Sequence, residues 1–113
     1  MNSLWYTKHQ LQIKKHYLGK WIFEQEEEPL EEINLTITES LISLTLTFET
    51  AAATVFESFL NQGYFVEYIL VFLRTNQPHF HIRYADEHQM VAGLHQNGLS
   101  DILWERLFVR EGE

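Results

Sequence analysis

Ile33-Asn34-Leu35-Thr36-Ile37-Thr38-Glu39-Ser40-Leu41-Ile42-Ser43-Leu44-Thr45-Leu46-Thr47-Phe48 decides how this chain folds. Ile33, Leu35 and Ile37 alternate with Asn34, Thr36 and Thr38. Ile42, Leu44, Leu46 and Phe48 then alternate with Ser43, Thr45 and Thr47. A side-chain period of two marks extended backbone, because successive Cβ atoms leave opposite faces of a strand. The β-branched Ile and Thr suit a pleated, half-buried surface. Glu39-Ser40 supplies a polar turn between the two runs. The segment is therefore an antiparallel hairpin with one apolar and one wet face.

The same plan extends in both directions. Trp21 and Phe23 alternate with Lys20, Ile22 and Glu24, so 19–25 reads as a strand, stopped by Glu26-Glu27-Glu28-Pro29. Residues 3–17 fit two periods: Leu4, Leu11 and Leu18 recur at seven, whereas Leu11, Ile13 and the stem of Lys15 alternate. Lys and Gln are good helix formers, so a short N-terminal helix is expected there. Beyond the hairpin, Ala52, Val55, Phe56, Phe59 and Leu60 form a helical stripe, with Thr50 as N-cap and Gly63 at the C-terminal stop. This spacing predicts a helix over 51–62, although Thr54, Val55 and Phe56 also favour a strand.

Residues 64–74 are apolar on both faces and read as one strand covered on both sides. Asn76-Gln77-Pro78 turns the chain. Phe80, Ile82 and Tyr84 then alternate with His79, His81 and Arg83. A three-residue loop, Asp86-Glu87-His88, sets Tyr84 opposite Met90, Ile82 opposite Ala92 and Phe80 opposite Leu94. After Asn97-Gly98, a last strand alternates Ile102, Trp104, Arg106 and Phe108 with Leu103, Glu105, Leu107 and Val109. The expected fold is mainly β, with some α+β character. It is one antiparallel meander of about seven strands curled into a barrel or strongly bent sheet, with an N-terminal helix and a helix near 51–62.

At 113 residues the chain is a single domain with room for one core. Its eight Phe, five Tyr and three Trp are too many for a disordered chain. A formal net charge of −8 repels phosphate backbones and argues against nucleic acid as a direct partner. There is no cysteine, so no disulfide, thiol nucleophile or zinc-thiolate site. The first ten residues lack a signal-peptide core, and no apolar run is long enough to span a bilayer. A cytoplasmic protein is expected. No phosphate-binding glycine loop, HExxH or activated nucleophile is present, so neither an enzyme nor a cofactor is expected.

The lead-in followed by Gly19-Lys20-Trp21 at the first strand resembles the Gly-x-Trp start of lipocalin-like (calycin) barrels. In that family a basic residue of the last strand packs over the tryptophan. Here Arg106 or Arg110, beside Trp104, stands in the matching strand. The resemblance implies a barrel whose interior holds a small apolar ligand.

Three sets of residues carry functional readings. An apolar-ligand site would use Trp21, Phe72 and Trp104, with Tyr68 and Arg106 as polar handles, in a cavity of roughly several hundred Å³. Glu24, Glu26, Glu27, Glu28, Glu31 and Glu32 form an acidic run suited to a basic protein partner, as in an immunity protein, an antitoxin or a phage anti-defence protein; its plain reading is a solvated loop. His79 and His81 share one face of a strand, and the hairpin register sets His95 opposite His79. Three imidazoles so placed can ligate zinc, or are simply a solvated polar face. Open sheet edges would favour a homodimer.

Overall fold

The computed structural model describes residues 17–59, 63–74 and 78–112. These form nine strands: β1 (Gly19–Gln25), β2 (Glu31–Ile37), β3 (Leu41–Phe48), β4 (Ala51–Phe59), β5 (Gly63–Val66), β6 (Ile69–Phe72), β7 (His79–Ala85), β8 (Gln89–His95) and β9 (Ile102–Arg110). All belong to one sheet in the order β4-β3-β2-β1-β9-β8-β7-β6-β5, with every neighbour antiparallel. In that order β4 and β7 are six places apart, which in a flat sheet is about 29 Å. Yet the rings of Phe56 on β4 and Phe80 on β7 have centroids 5.4 Å apart. The sheet is thus a strongly curled half-barrel. An odd number of alternating strands leaves the two edges, β4 and β5, running the same way, so they cannot close by the antiparallel ladder that joins the others.

The hairpin that decides the fold has the register its alternation implies: Ile33 opposite Leu46, Leu35 opposite Leu44, Ile37 opposite Ile42. These side chains line the concave face. They pack with Trp21, Phe56, Leu70, Phe72, Phe80, Ile82, Met90, Ala92, Leu94 and Phe108 into one buried core, flanked by Phe23 and Trp104. The two halves of the sheet meet at β1 and β9, joined by only two residue pairs, Trp21 with Arg110 and Ile22 with Val109. Beyond Ile22 the two strands part.

Three expectations need correction. The helix over 51–62 is, through Phe59, the strand β4. Its pairing slips at Val55, with Thr45 opposite Thr54 but Leu44 opposite Phe56. One inserted residue in a period-two pattern brings Val55 and Phe56 into helical spacing with Ala52 and Phe59, which is the origin of the false stripe. The unpaired backbone edge of β3 then outweighs the low β-propensity of three alanines. The single strand over 64–74 is a hairpin, β5 and β6, turned at Glu67-Tyr68 with Glu67 at φ 57. These two changes raise about seven strands to nine.

The β7–β8 loop is also tighter than expected. Phe80 with Leu94 and Ile82 with Ala92 pair as read, but a bulge at Arg83 sets Tyr84 opposite Val91 and Ala85 opposite Met90. The Asp86 amide donates to the Gln89 carbonyl at 2.9 Å, leaving Glu87-His88 as a two-residue tip. The Asp86 carboxylate holds that tip by accepting from the His88 and Gln89 amides, each at 2.8 Å. The N-terminal helix expected over 3–17 lies, apart from Tyr17, outside the described residues, as does the turn at Asn76-Gln77. No helix of the described residues is long and apolar enough to cross a membrane.

Candidate functional site

The acidic run becomes a shape once β2 is paired on both sides. Glu24 lies opposite Glu32 and Gln25 opposite Glu31, while Glu32 lies opposite Thr47 on the other side. At this end of the sheet an open depression of about 280 Å³ is lined by Glu24, Gln25, Glu26, Leu30, Glu31, Glu32, Thr47 and Glu49. Five of these eight side chains are carboxylates and none is a cation. Glu27 and Glu28 lie in the turn and do not line it. Glu49 was not singled out from the sequence. It follows β3, sits at φ 57, and its amide donates to the Leu30 carbonyl at 2.9 Å. The β2–β3 register was the signal for it, because Phe48 lies opposite Glu31 and sets Glu49 beside Leu30.

Two of the five carboxylates have partners. Glu31 accepts from Arg106 Nε at 3.2 Å, and Glu32 accepts from Asn34 Nδ2 at 2.8 Å. Among the described residues no lysine or arginine pairs with Glu24, Glu26 or Glu49. The depression therefore carries an unbalanced negative potential around an exposed leucine, 43% accessible at Leu30.

The residues read as an apolar-ligand set are dispersed. Trp21 and Phe72 are fully buried in the core, and Trp104 packs partly buried against it. Tyr68 stands 92% exposed on the β5–β6 turn. Arg106, opposite Ala92, is on the concave face, with its guanidinium 5.4 Å from the Phe23 ring and 5.7 Å from the Trp104 ring. This stack occupies the region where β1 and β9 part. Arg110 lies 4.1 Å above the Trp21 ring, and donates to the Leu18 and Glu87 carbonyls at 2.7 and 2.8 Å.

The histidines form a third arrangement, on the convex face. His81 on β7, Gly93 on β8 and Glu105 on β9 lie in one row across three strands. With no side chain on Gly93, His81 reaches over it, and its Nε2 is 2.7 Å from Glu105 Oε2. The other ring nitrogen, Nδ1, is 2.9 Å from His95 Nδ1. Arg83 Nε also donates to Glu105 Oε2 at 2.7 Å. Two of the three rings are withdrawn from solvent, His81 at 0% and His95 at 3% exposed, while Arg83 at the rim remains exposed. Glu105 escaped the sequence reading because β9 slips against β8 between Leu94 and His95, so its neighbours cannot be counted along the chain.

Burial holds both rings below the ordinary histidine range. For His81 it outweighs the opposing pull of Glu105; for His95, burial and then the charges of His81 and His79 push the pKa down to about 4. Burial alone would raise the Glu105 carboxyl, but hydrogen bonds from Arg83 and His81 hold it below its usual value. Neutral rings and an ionised carboxylate fix the proton positions. Glu105 only accepts, so His81 donates from Nε2 and offers the Nδ1 lone pair, and His95 donates to it from Nδ1. His79 Nδ1 accepts the Arg74 amide at 3.0 Å, which leaves its proton on Nε2. Of the three rings, only His95 Nε2 then has an uncommitted lone pair. The described residues accordingly include no group of three or more His, Cys, Asp or Glu placed to hold a metal ion.

A stability prediction follows from the lowered histidines. An unfolded histidine takes its proton near 6.5, whereas folded His95 does so only near 4. Stability is therefore complete above about pH 7 and is lost as pH falls toward 4. Between pH 7 and 5 the loss is on the order of 2 kcal/mol, carried by the coupled His81–His95 pair. Urea unfolding of the wild type and of His95→Gln at both pH values measures it, and a much flatter profile is expected for the variant.

Comparison with protein-family models, with curated proteins and with solved structures finds no match.

Proposed function

We propose that this domain is a non-enzymatic, protein-binding module of the inhibitor or immunity type, which receives a basic segment of its partner at the acidic depression. The carrying observation is that five carboxylates from three separate stretches of chain converge around exposed Leu30, three of them without a cationic partner among the described residues. Such a site steers a cationic surface toward itself and offers an apolar contact once it has docked.

A second reading, a lipocalin-like carrier of a small apolar ligand, is favoured by one feature. Arg106 lies between Phe23 and Trp104 on the concave face, and Arg110 covers Trp21 in the manner the Gly-x-Trp resemblance implies. The first reading is preferred because Trp21, Phe56, Phe72, Phe80 and Phe108 fill the concave face with buried rings.

The test uses a synthetic peptide alternating arginine and leucine. The wild type is expected to bind it, with an association rate that falls about tenfold or more from low to high salt. Glu24→Gln, Glu26→Gln and Glu49→Gln together are expected to weaken binding by about tenfold, with stability unchanged within about 0.5 kcal/mol. Salt-independent binding, or equal binding by the triple variant, overturns the proposal. Stoichiometric binding of an apolar dye that is lost in Arg106→Ala but kept in the triple variant would put the second reading in its place.

A further inference from the structure

We propose that Glu105, His81 and His95 form a one-proton relay that makes the β7–β8–β9 region acid-responsive: the row accepts one extra proton with its hydrogen bonds intact, and a second proton breaks the His81–His95 contact.

The geometry carries the argument. Two ring nitrogens 2.9 Å apart share one proton; with none between them two lone pairs oppose, and with two the N–H groups collide. In the resting row that proton belongs to His95 Nδ1, and the proton at the other end of His81 is bonded to Glu105. A proton arriving at His95 Nε2 can be passed along. His95 Nδ1–H moves to His81 Nδ1, and His81 Nε2–H remains on that ring, bonded to Glu105 Oε2. His95 Nδ1 gains the lone pair that then accepts from His81, and both contacts survive. The charge ends on His81, beside the Glu105 carboxylate that can balance it. A second proton on the rings has no such place. It puts N–H on all four ring nitrogens and turns the Nδ1 atoms of two buried rings against each other.

The surrounding charges are consistent with this order of events. Among the described residues, the titratable or charged groups around the pair are His79 and Arg83 on β7, Glu105 on β9, and Arg74 before β7. Glu105 alone favours a cation on His81. His79, Arg74 and Arg83 add no negative charge, so nothing there stabilises a second cation. Burial, which already holds both rings neutral, raises its cost further. Titration of such a pair belongs to the row and not to either ring.

The experiment is nitrogen-detected NMR of the histidine rings in the full chain from pH 8 to 3, together with amide exchange. At pH 8 the expected tautomers are Nε2–H for His81 and Nδ1–H for His95. On acidification both rings should shift together in the first step. In the second step exchange protection in β7–β9 should fall by about tenfold or more while that of β2–β3 is kept. His95→Gln should leave His81 titrating alone, without the second step. Should that variant not fold, Glu105→Gln is the substitute: it removes the balancing carboxylate and should move the first proton uptake to lower pH. Two rings titrating independently near the ordinary histidine value, the opposite tautomers, or protection lost evenly across the sheet would overturn the relay.

Discussion

Gly93→Ala is expected to destabilise the domain by at least about 3 kcal/mol, a shift in Tm of roughly 10–15 °C. A Cβ at this position would fall onto the Trp104 carbonyl oxygen and within 2.9 Å of Glu105 Cα and the Trp104 carbonyl carbon. These are backbone atoms of the adjacent strand, not the far ends of flexible side chains. The β8–β9 ladder must therefore open to admit a single methyl group. That ladder also aligns Leu94 with Trp104 and Met90 with Phe108, so core packing is disturbed as well. The same methyl would stand between His81 and Glu105, which now meet across the bare backbone. A domain of this size has about 5–15 kcal/mol in total, so the variant should be visibly labile. Thermal and urea melts measure the effect. A Tm within about 2 °C of wild type would show that β8 and β9 tolerate a wider spacing than the contact implies.

The second large effect concerns Arg110→Ala, expected to lose about 3 kcal/mol. The guanidinium lies 4.1 Å from the centroid of a tryptophan ring that is wholly buried, and it ties together the chain leading into β1 and the β7–β8 tip through the Leu18 and Glu87 carbonyls. A cation over a desolvated indole contributes about 1–2 kcal/mol, and charge-assisted bonds to carbonyls about 1.5 kcal/mol or more each before compensation by water. Arg110→Lys keeps the charge but loses the planar fork, so it should recover about half of the loss. An alanine variant as stable as wild type would mean that the seam between the two halves of the sheet is held by the Trp21–Arg110 and Ile22–Val109 ladder alone. The contact also gives Gly19-Lys20-Trp21 a local physical reason. Gly19 sits at φ +127, where other residues are strained, and a Cβ there would come within 2.5 Å of Arg110 Nη1. Trp21 supplies the ring that the cation covers.

Alternation along the chain was enough to identify the 33–48 hairpin and its two faces, the faces of β7 and β8 from Phe80 to Ile82, and the last strand. It also placed His79 opposite His95, and gathered four of the five glutamates of the depression. In each of these cases the informative residues are close in sequence, and a period of two assigns every side chain to a face without reference to the rest of the molecule. Three things depended on strands meeting from elsewhere. The bulge at Val55 made β4 look helical, because one inserted residue shifts the period and only pairing with β3 reveals the insertion. Glu49 joined the depression through the third strand of its meander. Glu105 found His81 through a β8–β9 register that slips near His95 and through a glycine whose necessity is felt only by the neighbouring backbone. The composition and the alternation thus determined an acidic, β-rich chain. Tertiary contact alone decided that its sheet remains an open half-barrel, that His81 and His95 are buried, and that its acidity is shaped into a site, because bulges and cross-strand neighbours are properties of pairs of strands and leave little trace in either strand by itself.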